Sequence, residues 1–199
     1  MALIALVRHG ESEANVLNIV THEEGKYHLT ERGREQALFI SRTLAGLGFR
    51  RVYSSPLLRT VETAEIIASH LGLSVEVDAR LRETDMGPYA GMRADEIPWG
   101  PREEMPIESW ASHVERMHEA IDSMSEASIV VSHAFPIRAY LASVMGLGEE
   151  ESYGIEVRNA SLSVVDNRTF EVIAIGSFVL SGRVRKLIIE RNSMPAVDL

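Results

Sequence analysis

Short apolar runs alternate along the chain with longer stretches whose apolar residues recur at helical spacing. Runs at 2–7, 51–53, 75–77, 128–131, 162–165 and 171–175 read as strands, and the first and fourth are apolar enough to be buried on both faces. Between them Ala37, Ile40, Leu44 and Leu47 predict a helix, with Thr30 as its N-cap and Gly48 just beyond its end. Val61, Ala64, Ala68 and Leu71 predict a second, closed by Gly72. Trp110, Val114, Met117, Ile121 and Met124 predict a third, and Ile137, Leu141 and Val144, followed by Gly146, a fourth. This alternation predicts an α/β domain, a three-layer αβα arrangement around a mostly parallel sheet.

Two regions resist the pattern. Residues 84–109 hold four of the seven prolines and three glycines with no clean period. They read as the loop-rich part of an insertion at about 84–127 that covers one side of a site. From Gly182 onward, Val184, Leu187 and Ile189 predict either a last strand or a surface that docks on a partner. A homodimer is compatible with this tail, although the sequence says little about assembly. With no repeat or long polar linker, residues 1–199 are expected to form one domain.

Composition narrows the chemistry. The formal net charge is −9, so bulk attraction to nucleic acid or anionic lipid is not expected, and an anionic substrate must be drawn in by local basic groups. The absence of cysteine removes disulfides, thiolate metal sites and cysteine nucleophiles. The apolar opening run lacks a basic lead-in and stops at Arg8, too short for a signal-peptide core or a membrane span. The cytoplasm is the expected compartment.

Four predicted strands each lead to a group suited to phosphoryl chemistry, and the carboxyl ends of strands are where open α/β sheets bind ligands. Arg8-His9-Gly10 follows the first strand, Arg59 the second, Glu83 the third and His133 the fourth. Neutral imidazole can attack phosphorus, and guanidinium offers a fork of donors to phosphate oxygens. Gly10 would let the backbone turn and bring amide N–H groups to an anion. An arginine in the first turn of a helix suggests an anion beside it, because a cation is otherwise placed better at the other end.

Arg8-His9-Gly10-Glu11-Ser12-Glu13-Ala14-Asn15 resembles the signature of the histidine phosphatase superfamily, the phosphoglycerate-mutase-like proteins. Ser54-Ser55-Pro56-Leu57-Leu58-Arg59-Thr60, Leu81-Arg82-Glu83 with Gly87 and Gly91, Ser132-His133-Ala134-Phe135-Pro136-Ile137-Arg138 and Asn159-Ala160-Ser161-Leu162 resemble its later motifs, in order. The resemblance implies a phosphoglycerate-mutase-like fold with His9 as nucleophile. Arg8, Arg59 and His133 would bind the transferring phosphoryl group, His133 as a histidinium, and Glu83 would protonate the leaving oxygen. Asn15 and Ala134 would be further contacts, Ala134 standing where the family usually has glycine. Neither a metal nor another cofactor is implied, and no cluster has metal-ligand spacing.

Cations beside His9 would keep it neutral, and the Gly10 carbonyl could take one ring hydrogen. His113 and His118, five apart, are expected to be solvated, and His22, His28 and His70 to lie at the surface. Glu149-Glu150-Glu151 reads as a solvated turn.

Thr84, Asp85 and Met86 stand where mutases of the family carry arginine, histidine and tyrosine, and Asp85 is expected to repel a substrate carboxylate. The preferred reading is a phosphatase acting on a small phosphorylated metabolite, with a mutase as runner-up. A non-catalytic phospho-ligand binder on the same fold is the alternative of a different class.

Overall fold

The computed structural model describes residues 2–193. One six-stranded sheet contains β1 (Leu3–Arg8), β2 (Arg51–Ser54), β3 (Val75–Val77), β4 (Ser128–Ser132), β5 (Leu162–Asp166) and β6 (Glu171–Ser177). Their spatial order is β3-β2-β4-β1-β5-β6. The first four run parallel, and β5 is antiparallel to both β1 and β6. The helices are α1 (Glu13–Val16), α2 (Glu31–Leu44), α3 (Leu58–Leu71), α4 (Trp110–Asp122), α5 (Ala134–Val144), α6 (Glu149–Ser152) and α7 (Gly182–Ser193). None is long and apolar enough to cross a membrane, among the described residues.

Alternation along β1 divides the core in two. Leu3, Ala5 and Val7 enter a cluster with Ile40, Leu44 and Ile67, while Ile4 and Leu6 enter another with Met117, Ile121 and Leu141. Helices α2, α3 and α7 therefore cover one face of the sheet, and α4 and α5 the other. Each fully buried Leu or Ile contributes roughly 1.5–3 kcal/mol, so the central strands anchor whatever follows their ends.

The tail departs from both expectations. It is helix α7, and it docks on its own sheet. Val184, Ile188 and Asn192 recur every four residues; the first two pack into the α2/α3 core and Asn192 Nδ2 donates to the Leu47 carbonyl at 2.8 Å. Arg185 donates to the carbonyls of Thr43 and Ala45, so the helix also caps the end of α2. Two short helices had no period to betray them. In α1, Ser12 and Asn15 form a capping box. In α6, the expected solvated turn is a helix whose Glu149 pairs with Arg102.

Gly10 meets Gly33 across the start of α2. A Cβ on Gly10 would lie 2.3 Å from the Gly33 carbonyl oxygen, and one on Gly33 would lie 1.9 Å from the Glu11 oxygen. This packing holds the turn after β1 against the α2 N-terminus, whose N-cap Thr30 accepts from the Gly33 N–H at 3.0 Å. Gly33→Ala must push backbone from backbone. We expect a loss of about 2–3 kcal/mol and a fall in Tm of roughly 5–10 °C by thermal unfolding; an unchanged Tm would contradict the contact.

Candidate active site

The parallel register of three strands assembles the site. Arg8 pairs with Ser132 and Ser54 with Val131, so His9, Ser55 and His133 emerge side by side at the carboxyl edge. Backbone bonds lock them there: His9 N donates to the Ser132 carbonyl and Ser55 N to that of Val131, both at 3.0 Å. From the other side Ala160 N donates to the carbonyls of Arg8 and His9, with Ala160 at φ 54°. Asn159 Nδ2 donates at 3.2 Å to both the His9 carbonyl and Asn15 Oδ1.

His9 is 2% exposed. Its Nδ1 is 2.7 Å from the Gly10 carbonyl, which can only accept, so Nδ1 carries the hydrogen and Nε2 the lone pair. Arg59 Nε donates to that Nε2 at 3.2 Å. Burial first, then the charges of Arg59 and Arg8, hold the His9 pKa well below the usual histidine range. The expected neutral imidazole is present, although burial outweighs the cations as its cause.

Two guanidiniums converge with unsatisfied donors. Arg59 spends Nη2 on the Thr21 carbonyl at 3.0 Å and Arg8 spends Nη1 on the Val157 carbonyl at 2.9 Å. Arg59 Nη1 and Arg8 Nε are buried and have no partner. A buried charged donor left unpaired is costly, so these two N–H groups fit an oxyanion. Burial lowers the Arg59 pKa to about 10, which leaves it charged at neutral pH.

Gly10 departs from expectation: its N–H donates to Thr63 Oγ1 at 3.1 Å and is not offered to a ligand. The glycine is required by Gly33 instead. His133 is also not the expected histidinium. Burial, then Arg59, His9 and Arg8, hold its pKa well below the usual range. Its Nδ1 faces Arg59 Nη2 at 3.3 Å, its Nε2 faces Ser55 Oγ at 2.8 Å, and its ring sits 5.1 Å from that of His9.

Glu83 reaches the site from a loop that Ser132 Oγ ties down through the Leu81 carbonyl. Its Oε1 accepts from Thr84 N at 2.9 Å, and its Oε2 lies 3.8 Å from His133 Nδ1. A cavity of about 340 Å³ opens above these groups, lined by Arg8, His9, Asn15, Arg59, Glu83 and Ala134. His133 lies behind that lining. Asn15 Oδ1 is spent on Ser12 N, Ser12 Oγ and Asn159.

The outer half of the cavity was not foreseen. Residues Trp99, Arg102 and Ile107 come from the loop-rich insertion, as expected of a cover, and Phe135, Arg138 and Tyr153 from α5 and beyond α6. Phe135 and Arg138 carried a local signal, since both belong to the late histidine segment. Arg102 stacks over Phe135 at 4.1 Å and is neutralised by Glu149. Arg138 gives Nε to the Ile155 carbonyl and has no acidic partner within ion-pair distance among the described residues. Asp85 is absent from the lining; it caps Gly87 N and lies 3.6 Å from His22, so it does not repel a ligand as expected.

Three histidines also differ from their surface assignment. His113 is fully buried, His118 half-buried against Tyr140, and His22 accepts from Met86 N at 3.2 Å. His28, paired with Glu62, and His70 are exposed. Among the described residues no group of three or more His, Asp or Glu is placed to hold a metal ion.

The profile of the histidine phosphatase superfamily (branch 1) matches residues 4–172. A 2,3-bisphosphoglycerate-dependent phosphoglycerate mutase of Thermoplasma acidophilum is 35% identical over 94% of this chain and 98% of its own. A mycobacterial glucosyl-3-phosphoglycerate phosphatase, solved in complex with VO3, superposes with a TM-score of 0.71 at 26% identity, covering 83% of this chain and 93% of that one. The alpha-ribazole phosphatase of Shigella flexneri superposes with a TM-score of 0.78 at 24% identity, over 90% and 98% of the two chains, a likeness of fold.

His9, His113 and His133 all have folded pKa values below the unfolded value of about 6.5, His113 at about 4. Below that unfolded value the unfolded chain binds protons that the folded chain refuses, so stability falls as pH drops from 7 to 5. His113 contributes about 2 kcal/mol of this loss at pH 5, and His9 and His133 act in the same direction. Glu108, held at about 2 by Arg116 despite burial, loses its stabilising contribution only at more acid pH. Denaturant titrations at the two pH values test this, and His113→Leu is expected to narrow the gap.

Proposed function

The chain belongs to the histidine phosphatase superfamily, branch 1, and we propose that it is a phosphomonoesterase that works through a phosphohistidine on His9. The observation that carries the reading is the Nε2 lone pair of a neutral, buried His9 set among Arg59 and the two unpartnered donors, Arg59 Nη1 and Arg8 Nε. In the proposed first step His9 Nε2 attacks phosphorus in line. The P–O bond to the leaving group breaks, and Glu83 gives its proton to the departing oxygen. The two guanidiniums hold the equatorial oxygens, whose charge is spread in the transition state. The incoming dianion also favours a proton on His133 against its burial and the cations beside it, and the protonated ring then serves as a third donor. Glu83, now a carboxylate, takes a proton from the water that attacks phosphorus; the P–Nε2 bond breaks, inorganic phosphate leaves, and neutral His9 and protonated Glu83 are restored.

Water as the acceptor is supported by the open mouth of the cavity, where Trp99 and Tyr153 are 57% and 59% exposed. A specific observation favours the second reading, a mutase. Arg138 presents an unpaired guanidinium inside the cavity that suits a substrate carboxylate, and the Thermoplasma relative bears that name.

His9→Ala is expected to lose more than about 99% of p-nitrophenyl phosphate turnover together with all acid-labile phosphoenzyme. A variant that kept its rate without labelling would mean direct attack by water. The acceptor is decided by supplying 3-phosphoglycerate with catalytic 2,3-bisphosphoglycerate and following released phosphate and 2-phosphoglycerate together. We expect phosphate to dominate; efficient interconversion with little release selects the mutase. In either case Arg138→Ala should raise KM about tenfold or more for carboxylate-bearing phosphates and leave p-nitrophenyl phosphate nearly unchanged.

A further inference from the structure

Thr84 touches Glu83 with two groups. Its N–H donates to Oε1 at 2.9 Å, and its hydroxyl oxygen lies 3.3 Å from the same Oε1. A threonine hydroxyl has one hydrogen, so its effect on the carboxyl depends on where that hydrogen goes. Behind Thr84 stands His113, fully buried on α4 and unused by the proposed chemistry. Its Nδ1 lies 2.8 Å from the Ser109 carbonyl and must carry hydrogen there. Its Nε2 lies 3.0 Å from Thr84 Oγ1. A neutral His113 therefore takes the Thr84 hydrogen, and Thr84 turns a lone pair toward Glu83. That lone pair repels a carboxylate and accepts from a carboxylic acid.

We propose that His113 is a positioning residue that, through Thr84, keeps Glu83 in its protonated, proton-donating form; the inference rests on the reading of Glu83 as the acid. Such a device answers a specific difficulty. Arg8, Arg59 and Arg138 carry charge toward Glu83 and favour its charged form. The polarity of the Ser109–His113–Thr84 chain opposes them, and the Thr84 N–H as well, at Glu83 Oε1.

The groups around His113 allow that polarity. Burial brings its pKa down to about 4, with Arg116 and Arg102 adding repulsion. Glu108 is the opposing group, its Oε2 3.3 Å from Nε2. Its charge is met by Arg116 Nε at 2.7 Å and Nη2 at 3.1 Å, and by Asp85 N at 3.1 Å. The edge of Phe135, 4.7 Å from the imidazole between ring centres, completes the dry surround and links it to the cavity wall.

The test compares kcat/KM against pH for an alkyl phosphate and for p-nitrophenyl phosphate, whose leaving group needs little protonation. Wild type, His113→Leu, Thr84→Val and Glu83→Gln are measured side by side, so the substrate's own ionisation cancels. In His113→Leu the freed Thr84 hydroxyl donates to the carboxylate. The alkaline limb for the alkyl phosphate should move about one pH unit lower, a loss of about tenfold at neutral pH, with p-nitrophenyl phosphate changed less than about twofold. Thr84→Val, which removes the hydroxyl and keeps the N–H, should shift the limb the same way by less, and it serves if His113→Leu does not fold. Equal losses on both substrates without a shift, or a limb displaced to higher pH, overturn the inference while Glu83→Gln remains selective against the alkyl phosphate. An equal loss from Glu83→Gln on both substrates overturns the acid reading itself, and this inference with it.

Discussion

The contact between Arg59 Nε and His9 Nε2 sets the terms for the rest of the site. A cation 3.2 Å from an imidazole nitrogen tolerates only a lone pair there, so His9 must be neutral and its hydrogen must sit on Nδ1. The Gly10 carbonyl supplies the matching acceptor, and burial on top of a six-stranded sheet disfavours a second proton. Arg59 is held in turn by Thr21 and His133. Removing either support would let the guanidinium swing away and leave the lone pair unpaired in a dry pocket. The proposed nucleophile and phosphate binder, His9 and Arg59, are thus one coupled unit, and their energies are not separable.

That unit depends on backbone placement more than on side-chain choice. His9 hangs on β4 through the Ser132 carbonyl and on Ala160 through its own carbonyl. Its loop cannot relax toward α2, because Gly10 and Gly33 already touch there. Close-packed interiors transmit such constraints across sequence distance. A methyl added 24 residues away, at Gly33, is therefore felt at His9.

What was readable in the sequence follows from how local each cause is. Strand runs and helix periods announce themselves within ten residues, and the αβα order with its parallel sheet was accordingly visible. Arg8, His9, Arg59, Glu83 and His133 were visible because each sits just past such a run, and the structure brings all five together. The misreadings have distant causes. His113 looked solvated because its partner, Thr84, comes from a loop that crosses the face of α4. Gly10 looked like an anion turn because Gly33 could not be placed beside it. The tail looked ambiguous because its buried stripe includes a polar residue, Asn192, whose role is to satisfy a carbonyl in the α2 loop. The expectation for Asp85 rests on its matching a substrate-facing position of the family's mutases, yet here its carboxylate turns to Gly87 N and His22.

The charge distribution carries a last consequence. The protein has a formal net charge of −9, yet four arginines and a single carboxylate, Glu83, line the cavity. Long-range attraction therefore does not gather the substrate, and capture falls to donors within a few ångströms. Glu149 neutralises Arg102 from outside the phosphate pocket, which leaves three uncompensated guanidiniums facing one acid. A phosphoryl dianion satisfies Arg8 and Arg59, and a second anionic group would satisfy Arg138. A monoester without that group leaves Arg138 to water at the mouth. On the proposed reading, selectivity among phosphates is set at the rim and the chemistry at the base. This division allows one strand-end cluster to serve different leaving groups while the reacting centre stays fixed.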